Sequence, residues 1–164
     1  MMNLLLNLLA LFAPFMLIGA AVKGVNRTLM DTPTPANRLK SGRHDGRVKV
    51  TVDTYEASAV AAASTIDMCG TLPTGAKILE VILITDDLSD DATLEVGDDE
   101  DPNRYITATI CTTANQVTRL NAIDGQDYEV DMTISSTPDN QIVITTAVSA
   151  ITGTIKLVVL YTID

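Results

Sequence analysis

The densest group of chemically capable side chains is acidic. Asp98, Asp99, Glu100 and Asp101 are consecutive, and Asp86, Asp87, Asp90 and Asp91 precede them by one short apolar segment. Calcium collects about six to eight oxygens from closely spaced carboxylates and carbonyls, so Asp98, Asp99 and Asp101 are the calcium candidates. The spacing departs from an EF-hand loop, which needs a glycine at its turn and a closing glutamate. Solvated turns that keep a β-protein soluble and discourage edge pairing explain the same run, so no metal is assigned. On either reading, Arg104 offsets part of the local repulsion.

Nucleophilic chemistry has little to work with. A serine or cysteine nucleophile needs a base beside it, and the single histidine, His44, lies in a stretch rich in glycine and proline. Cys69 and Cys111 are far apart and form no CxxC or Cys/His pattern, which reads as two buried free thiols. There is no G-x-S-x-G elbow, P-loop or G-x-G-x-x-G. Paired carboxylates alone can hydrolyse glycosides, but such sites add aromatic platforms. The aromatic residues here are Phe12, Phe15, Tyr55, Tyr105, Tyr128 and Tyr161. An enzyme is not expected, and no cofactor is implied.

The elements that would position these residues are strands. From Arg47 onward Val48, Val50 and Val52 alternate with Lys49, Thr51 and Asp53, the pattern of a half-buried strand. Ala57 to Ala63 reads as a loop or one helical turn. Ser64 to Cys69 follows, then a tight turn at Leu72-Pro73-Thr74-Gly75, with proline and glycine at its special positions. Ala76 to Thr85 (AKILEVILIT) is the strongest core strand. Further strands are expected at Ala92 to Gly97, Arg104 to Ile110, Gln116 to Leu120, Asp127 to Ile134, Gln141 to Ala147 and Gly153 to Ile163, with Pro138-Asp139-Asn140 turning the chain. About eight short strands at this spacing predict an all-β fold, a single sandwich of jelly-roll type spanning 47–164.

Ahead of the sandwich lie two other segments. Met1 to Val22 contains no charged residue and is long enough to cross a bilayer as a helix, which takes roughly 20 residues. A secretory signal fits Gly19, Ala20 and Ala21 but lacks a basic n-region. A membrane anchor fits the flanking Lys23 and Arg27, against which Asn3, Asn7 and the kinking Pro14 argue. In the third reading, an apolar helix at 1–23 is an arm buried in protein. Leu4, Leu8, Leu11, Phe15 and Ile18 recur at helical spacing, with Phe12 beside them. Residues 24–46, with Pro33, Pro35, Gly42 and Gly46, read as an extended strap.

Charge divides the chain. Residues 1–50 hold seven basic and two acidic residues, a net +5, whereas 51–164 hold four basic and nineteen acidic, a net −15. The acidic body repels polyanions, so nucleic acid is not its partner. The basic stretch with Arg38, Lys40, Arg43 and Arg47 suits an acidic protein surface.

The segment Thr71 to Ile106 (TLPTGAKILEVILITDDLSDDATLEVGDDEDPNRYI) resembles virion structural proteins of tailed bacteriophages. The residues that carry the likeness are Leu72, Pro73, Gly75, Ala76, Val96, Gly97, Asp98, Asp101, Arg104, Tyr105 and Ile106. The resemblance implies a small β-sandwich, often trimeric, that cements or decorates a capsid or belongs to the tail. It implies as partners the major capsid protein or other virion subunits, besides copies of the chain itself. The apolar arm departs from that pattern. Leu4, Leu8, Leu11, Phe12, Phe15 and Ile18, with Arg38, Lys40, Arg43 and Arg47, are therefore the expected partner contacts. The alternatives are a tail or head–tail junction protein and a membrane-anchored β-sandwich binding module, with residues 1–22 in lipid.

Overall fold

The computed structural model describes residues 31, 34, 46–130 and 141–163. Eight strands build the body: β1 (Lys49–Val60), β2 (Thr65–Thr71), β3 (Ala76–Thr85), β4 (Thr93–Gly97), β5 (Ile106–Ile110), β6 (Gln116–Arg119), β7 (Gln141–Ala147) and β8 (Ile151–Ile163). They form two four-stranded sheets, the first ordered β1-β8-β3-β6 and the second β2-β7-β4-β5. Every pairing is antiparallel. The body is thus an all-β sandwich, as the strand spacing predicts.

Alternation along each strand places the core between the sheets. In the first sheet Val159 pairs with Val81 and Leu157 with Leu83, and all four are buried. In the second, Ile66, Ile144, Val96 and Ile106 form one cross-strand row, again buried. Each such branched side chain contributes about 1.5–3 kcal/mol on leaving water. The continuous apolar run of β3 therefore serves its two faces unequally: Ile78, Val81 and Leu83 are buried, while Ile82 and Ile84 are half-buried on the outside.

Three local readings are corrected. Ala57 to Val60 continue β1, with a register shift between Ala57 and Val60 and Ala59 at φ 51°, so this stretch is neither loop nor helical turn. The tight turn is closed by the Ala76 N–H donating to the Pro73 carbonyl at 3.0 Å, with Gly75 at φ 80°. Proline therefore opens the turn instead of sitting at its centre, and Gly75 takes the left-handed position that glycine tolerates. Third, the alternation of β1 has its faces exchanged. Val48, Val50 and Val52 are 59%, 61% and 52% exposed, while Thr51 and Asp53 face the inside of the sandwich's edge. There Asp53 accepts the Cys69 N–H at 3.0 Å and the Thr51 hydroxyl donates to the Cys69 carbonyl at 3.4 Å.

Of the strand expected at Asp127 to Ile134, the described part is not a strand: Asp127 lies in a turn at φ 61°, and Glu129 makes one isolated antiparallel bridge with Lys77. Residues 127–130 run beside the start of β3, with Ile78 N–H donating to the Tyr128 carbonyl at 2.9 Å and Val130 N–H to the Ala76 carbonyl at 2.8 Å. The Lys77 ammonium, almost buried, pairs there with Glu129 at 3.0 Å. Residues 131–134, the turn at Pro138-Asp139-Asn140, His44, and the apolar and strap contacts Leu4, Leu8, Leu11, Phe12, Phe15, Ile18, Arg38, Lys40 and Arg43 lie outside the described residues.

Candidate interaction surface

The acidic loop after β4 is a closed unit. Asp98 is 1% exposed. One carboxylate oxygen accepts the backbone N–H groups of Glu100 at 3.0 Å and Asp101 at 2.8 Å; the other accepts Nε of Arg104. Arg104 also reaches Glu100 at 3.2 Å and lies over the Tyr128 ring at 4.1 Å, a cation–π contact. Tyr128 in turn meets Tyr105 edge to face at 6.3 Å. Partial burial works against the Arg104 charge. The hydrogen bond to Asp98 and its negative charge, with Tyr128 and Tyr105, outweigh that and leave the guanidinium pKa raised.

Two glycines let the backbone close around this unit. A Cβ on Gly97 would stand 2.0 Å from the Asp101 carbonyl oxygen, and one on Gly125 would stand 2.4 Å from that of Arg104. Neither neighbour is a flexible side-chain tip, so neither has room to yield. The motif residues Val96, Gly97, Asp98, Asp101, Arg104, Tyr105 and Ile106 are thus one packed corner. The calcium candidates separate accordingly: Asp98 is occupied by Arg104, Asp99 is exposed, and Asp101 is half-buried. Among the described residues no three His, Cys, Asp or Glu side chains gather as a metal ion would require.

Both thiols are free. Cys111 is buried as expected, but Cys69 is only half-buried, because it sits on a left-handed residue (φ 66°) at the open edge between β1 and β2. Burial first, and the nearby Asp53 charge second, push the Cys69 thiol up to about 11. Burial likewise raises Cys111. A nucleophilic cysteine needs the opposite shift.

What the body does offer is a sheet face. On the outside of the first sheet, Val50 pairs with Leu160, and Val52, Val158 and Ile82 form the next row with Arg119. The row beyond holds Thr54, Lys156, Ile84 and Val117. Glu80 and Arg119 pair across this face at 3.4 Å. Arg47, the one described member of the expected basic contacts, is exposed immediately before β1. The surface went unread in the sequence because Val48, Val50 and Val52 look the same whichever way the strand is turned. Among the described residues no helix is long and apolar enough to cross a membrane.

No protein-family model matches the chain, and no curated protein matches its sequence. Solved structures do. A chain of the cyanophage Pam1 capsid asymmetric unit is similar over 73% of this chain and 86% of its own length, at 26% identity and a TM-score of 0.61. A chain in the capsid of Ralstonia phage GP4 is similar over 73% of this chain and 86% of its own, at 24% identity and a TM-score of 0.53. The likeness to phage virion structural proteins, carried in the sequence by residues 71–106, therefore extends to chains from phage capsids and covers most of the sandwich.

Proposed function

We propose that this chain is a non-catalytic structural subunit of a phage virion. In this reading it is a capsid cement or decoration protein whose jelly-roll body is held to neighbouring capsid subunits by the N-terminal arm, with copies grouped as a homo-oligomer, a trimer. The observation that carries the reading is the likeness to the cyanophage capsid chain, at 26% identity across 73% of this one. The strand orders β1-β8-β3-β6 and β2-β7-β4-β5 agree with a two-sheet jelly roll, an architecture that viral capsid domains use. The raised thiols and the self-satisfied Asp98 loop fit a body that binds and does no chemistry.

The test compares full-length protein with a variant lacking residues 1–46, each offered to purified empty shells and to liposomes. Shell binding by the full-length protein alone, with neither binding liposomes, is expected. Insertion of the full-length protein into liposomes with no affinity for shells would make the arm a membrane anchor and overturn the proposal. Binding confined to tails, at low copy number, would move the protein to the tail or head–tail junction.

A further inference from the structure

Asp101 and Pro102 form the one Asp–Pro pair in the chain, and such a bond is chemically weak. The aspartyl side chain holds an oxygen within reach of its own carbonyl carbon. The prolyl nitrogen carries no N–H and departs as a basic secondary amine once it takes a proton. Weakness becomes a site only where the surroundings favour attack on that carbonyl, and here they do. The Asp101 carbonyl oxygen accepts two backbone N–H groups, from Asp98 at 3.0 Å and from Arg104 at 3.2 Å. Paired backbone donors on one carbonyl oxygen stabilise the oxyanion of acyl transfer. Gly97 makes room for this: a Cβ there would stand 2.0 Å from the Asp101 oxygen and 2.3 Å from the Pro102 carbonyl carbon. The Asp101 side chain folds back across the proline, its Oδ1 accepting the Asn103 N–H at 3.3 Å. The charged groups of the loop are Asp98, Asp99, Glu100 and Arg104, and Tyr128 faces Arg104 from the 120–130 segment. Arg104 is taken up by Asp98 and Glu100, which leaves the Asp101 carboxyl able to hold a proton.

We infer that the Asp101–Pro102 bond is a self-cleavage site. An oxygen of the Asp101 carboxyl bonds to the Asp101 carbonyl carbon, and the carbonyl oxygen takes up negative charge between its two N–H donors. Collapse breaks the C–N bond, the carboxyl proton passes to the prolyl nitrogen, and a cyclic anhydride remains on residue 101. Water opens the anhydride, restoring the side-chain carboxyl and giving residue 101 a C-terminal one. Pro102 becomes the start of a second chain, and nothing is oxidised or reduced. The event happens once per chain, without turnover, and does not depend on the virion reading. The pieces stay together afterwards. Asp98 and Glu100 on one side of the cut remain paired with Arg104 on the other, and β4 remains paired with β5. The product is a nicked sandwich in which the β4–β5 connection is held by an ion pair instead of a peptide bond.

The experiment uses the full chain, held at about pH 5, close enough to the ordinary aspartate range for the carboxyl to take its proton. One sample is folded, as checked by circular dichroism, and one is in urea, because an Asp–Pro bond breaks slowly in any unfolded chain. Intact masses measured under denaturing conditions report the cut. Expected are two fragments, 1–101 and 102–164, whose masses together equal the parent plus water. They should form about tenfold or more faster in the folded sample. Hydroxylamine present during the incubation should intercept the anhydride and leave a hydroxamate on residue 101. Asp101→Asn removes the attacking carboxyl and Pro102→Ala the better leaving amine, so that misfolding of one variant leaves the other informative; both should lose the cut on that timescale. A folded rate no higher than that in urea, a cut at another bond, no hydroxamate, or cutting of either variant at the parent rate would each overturn the inference. Shell binding is measured separately on uncut protein, so failure of the cleavage leaves the virion reading standing, and failure of shell binding leaves the cleavage standing.

Discussion

The Asp98 carboxylate lies beneath the Arg104 guanidinium, which donates to it through Nε and again through Nη2 at 3.3 Å. Because Asp98 is 1% exposed, removing the cation leaves a buried charge with only two backbone donors. Loss of one partner of a buried pair costs about 3–5 kcal/mol. Arg104→Ala should therefore lower the urea midpoint sharply, and Arg104→Lys should recover only part, since an ammonium reproduces neither the forked hydrogen bond nor the stacking on Tyr128. Unchanged unfolding curves for Arg104→Ala would show that the corner does not need its cation.

Gly97 is a matter of space. Its virtual Cβ at 2.0 Å from the Asp101 oxygen means that Gly97→Ala must push the 98–103 loop off the end of β4. The expected outcome is a loss of stability well beyond the roughly 1 kcal/mol typical of point substitutions, together with faster amide exchange at Glu100 and Asp101. Exchange at those two amides unchanged from the parent protein would refute this.

Cys69 sets an alkaline limit. Its folded pKa, about 11, stands above the ordinary value of 9.0, so the folded state holds the proton more tightly. Its contribution to stability is complete below pH 9 and declines as pH rises towards 11. Urea midpoints should fall across that window, and Cys69→Ala should fall less. At pH 8 both thiols should alkylate slowly, Cys111 more slowly than Cys69. Rapid labelling of Cys111 in the folded protein would contradict its burial.

Neighbours on β8 should respond in opposite ways. Leu157 faces the core and Val158 faces out. In the variant lacking residues 1–46, Leu157→Ala should cost about 2–5 kcal/mol, whereas Val158→Thr should stay within about 0.5 kcal/mol. Comparable losses at both positions would mean that the outer face is covered within the body itself.

Much of this architecture is legible before folding is considered. The run AKILEVILIT is β3 to the residue, and the turn residues around Gly75 bound it correctly. What eluded the sequence is set by tertiary contacts, and at β1 the reason is that period two names two faces without saying which is inside. Val50 and Val52 obey the rule for a half-buried strand, yet Thr51 and Asp53 turn inward because the Cys69 backbone offers them hydrogen bonds at the sheet edge. Ala57 to Val60 carries no strong β-former before Val60, and it is strand only because β8 pairs with it across the chain. The acidic loop reads as solvated or metal-binding with Arg104 offsetting its repulsion; that Asp98 itself is buried beneath the guanidinium is a tertiary outcome that spacing alone does not give.

The position of β8 between β1 and β3 also governs when the molecule acquires its shape. Val50 finds Leu160 across most of the body, and pairings of such sequence separation form late and slowly. Until β8 has emerged, β1 has no strand to lie against in the first sheet, and the valine surface does not exist.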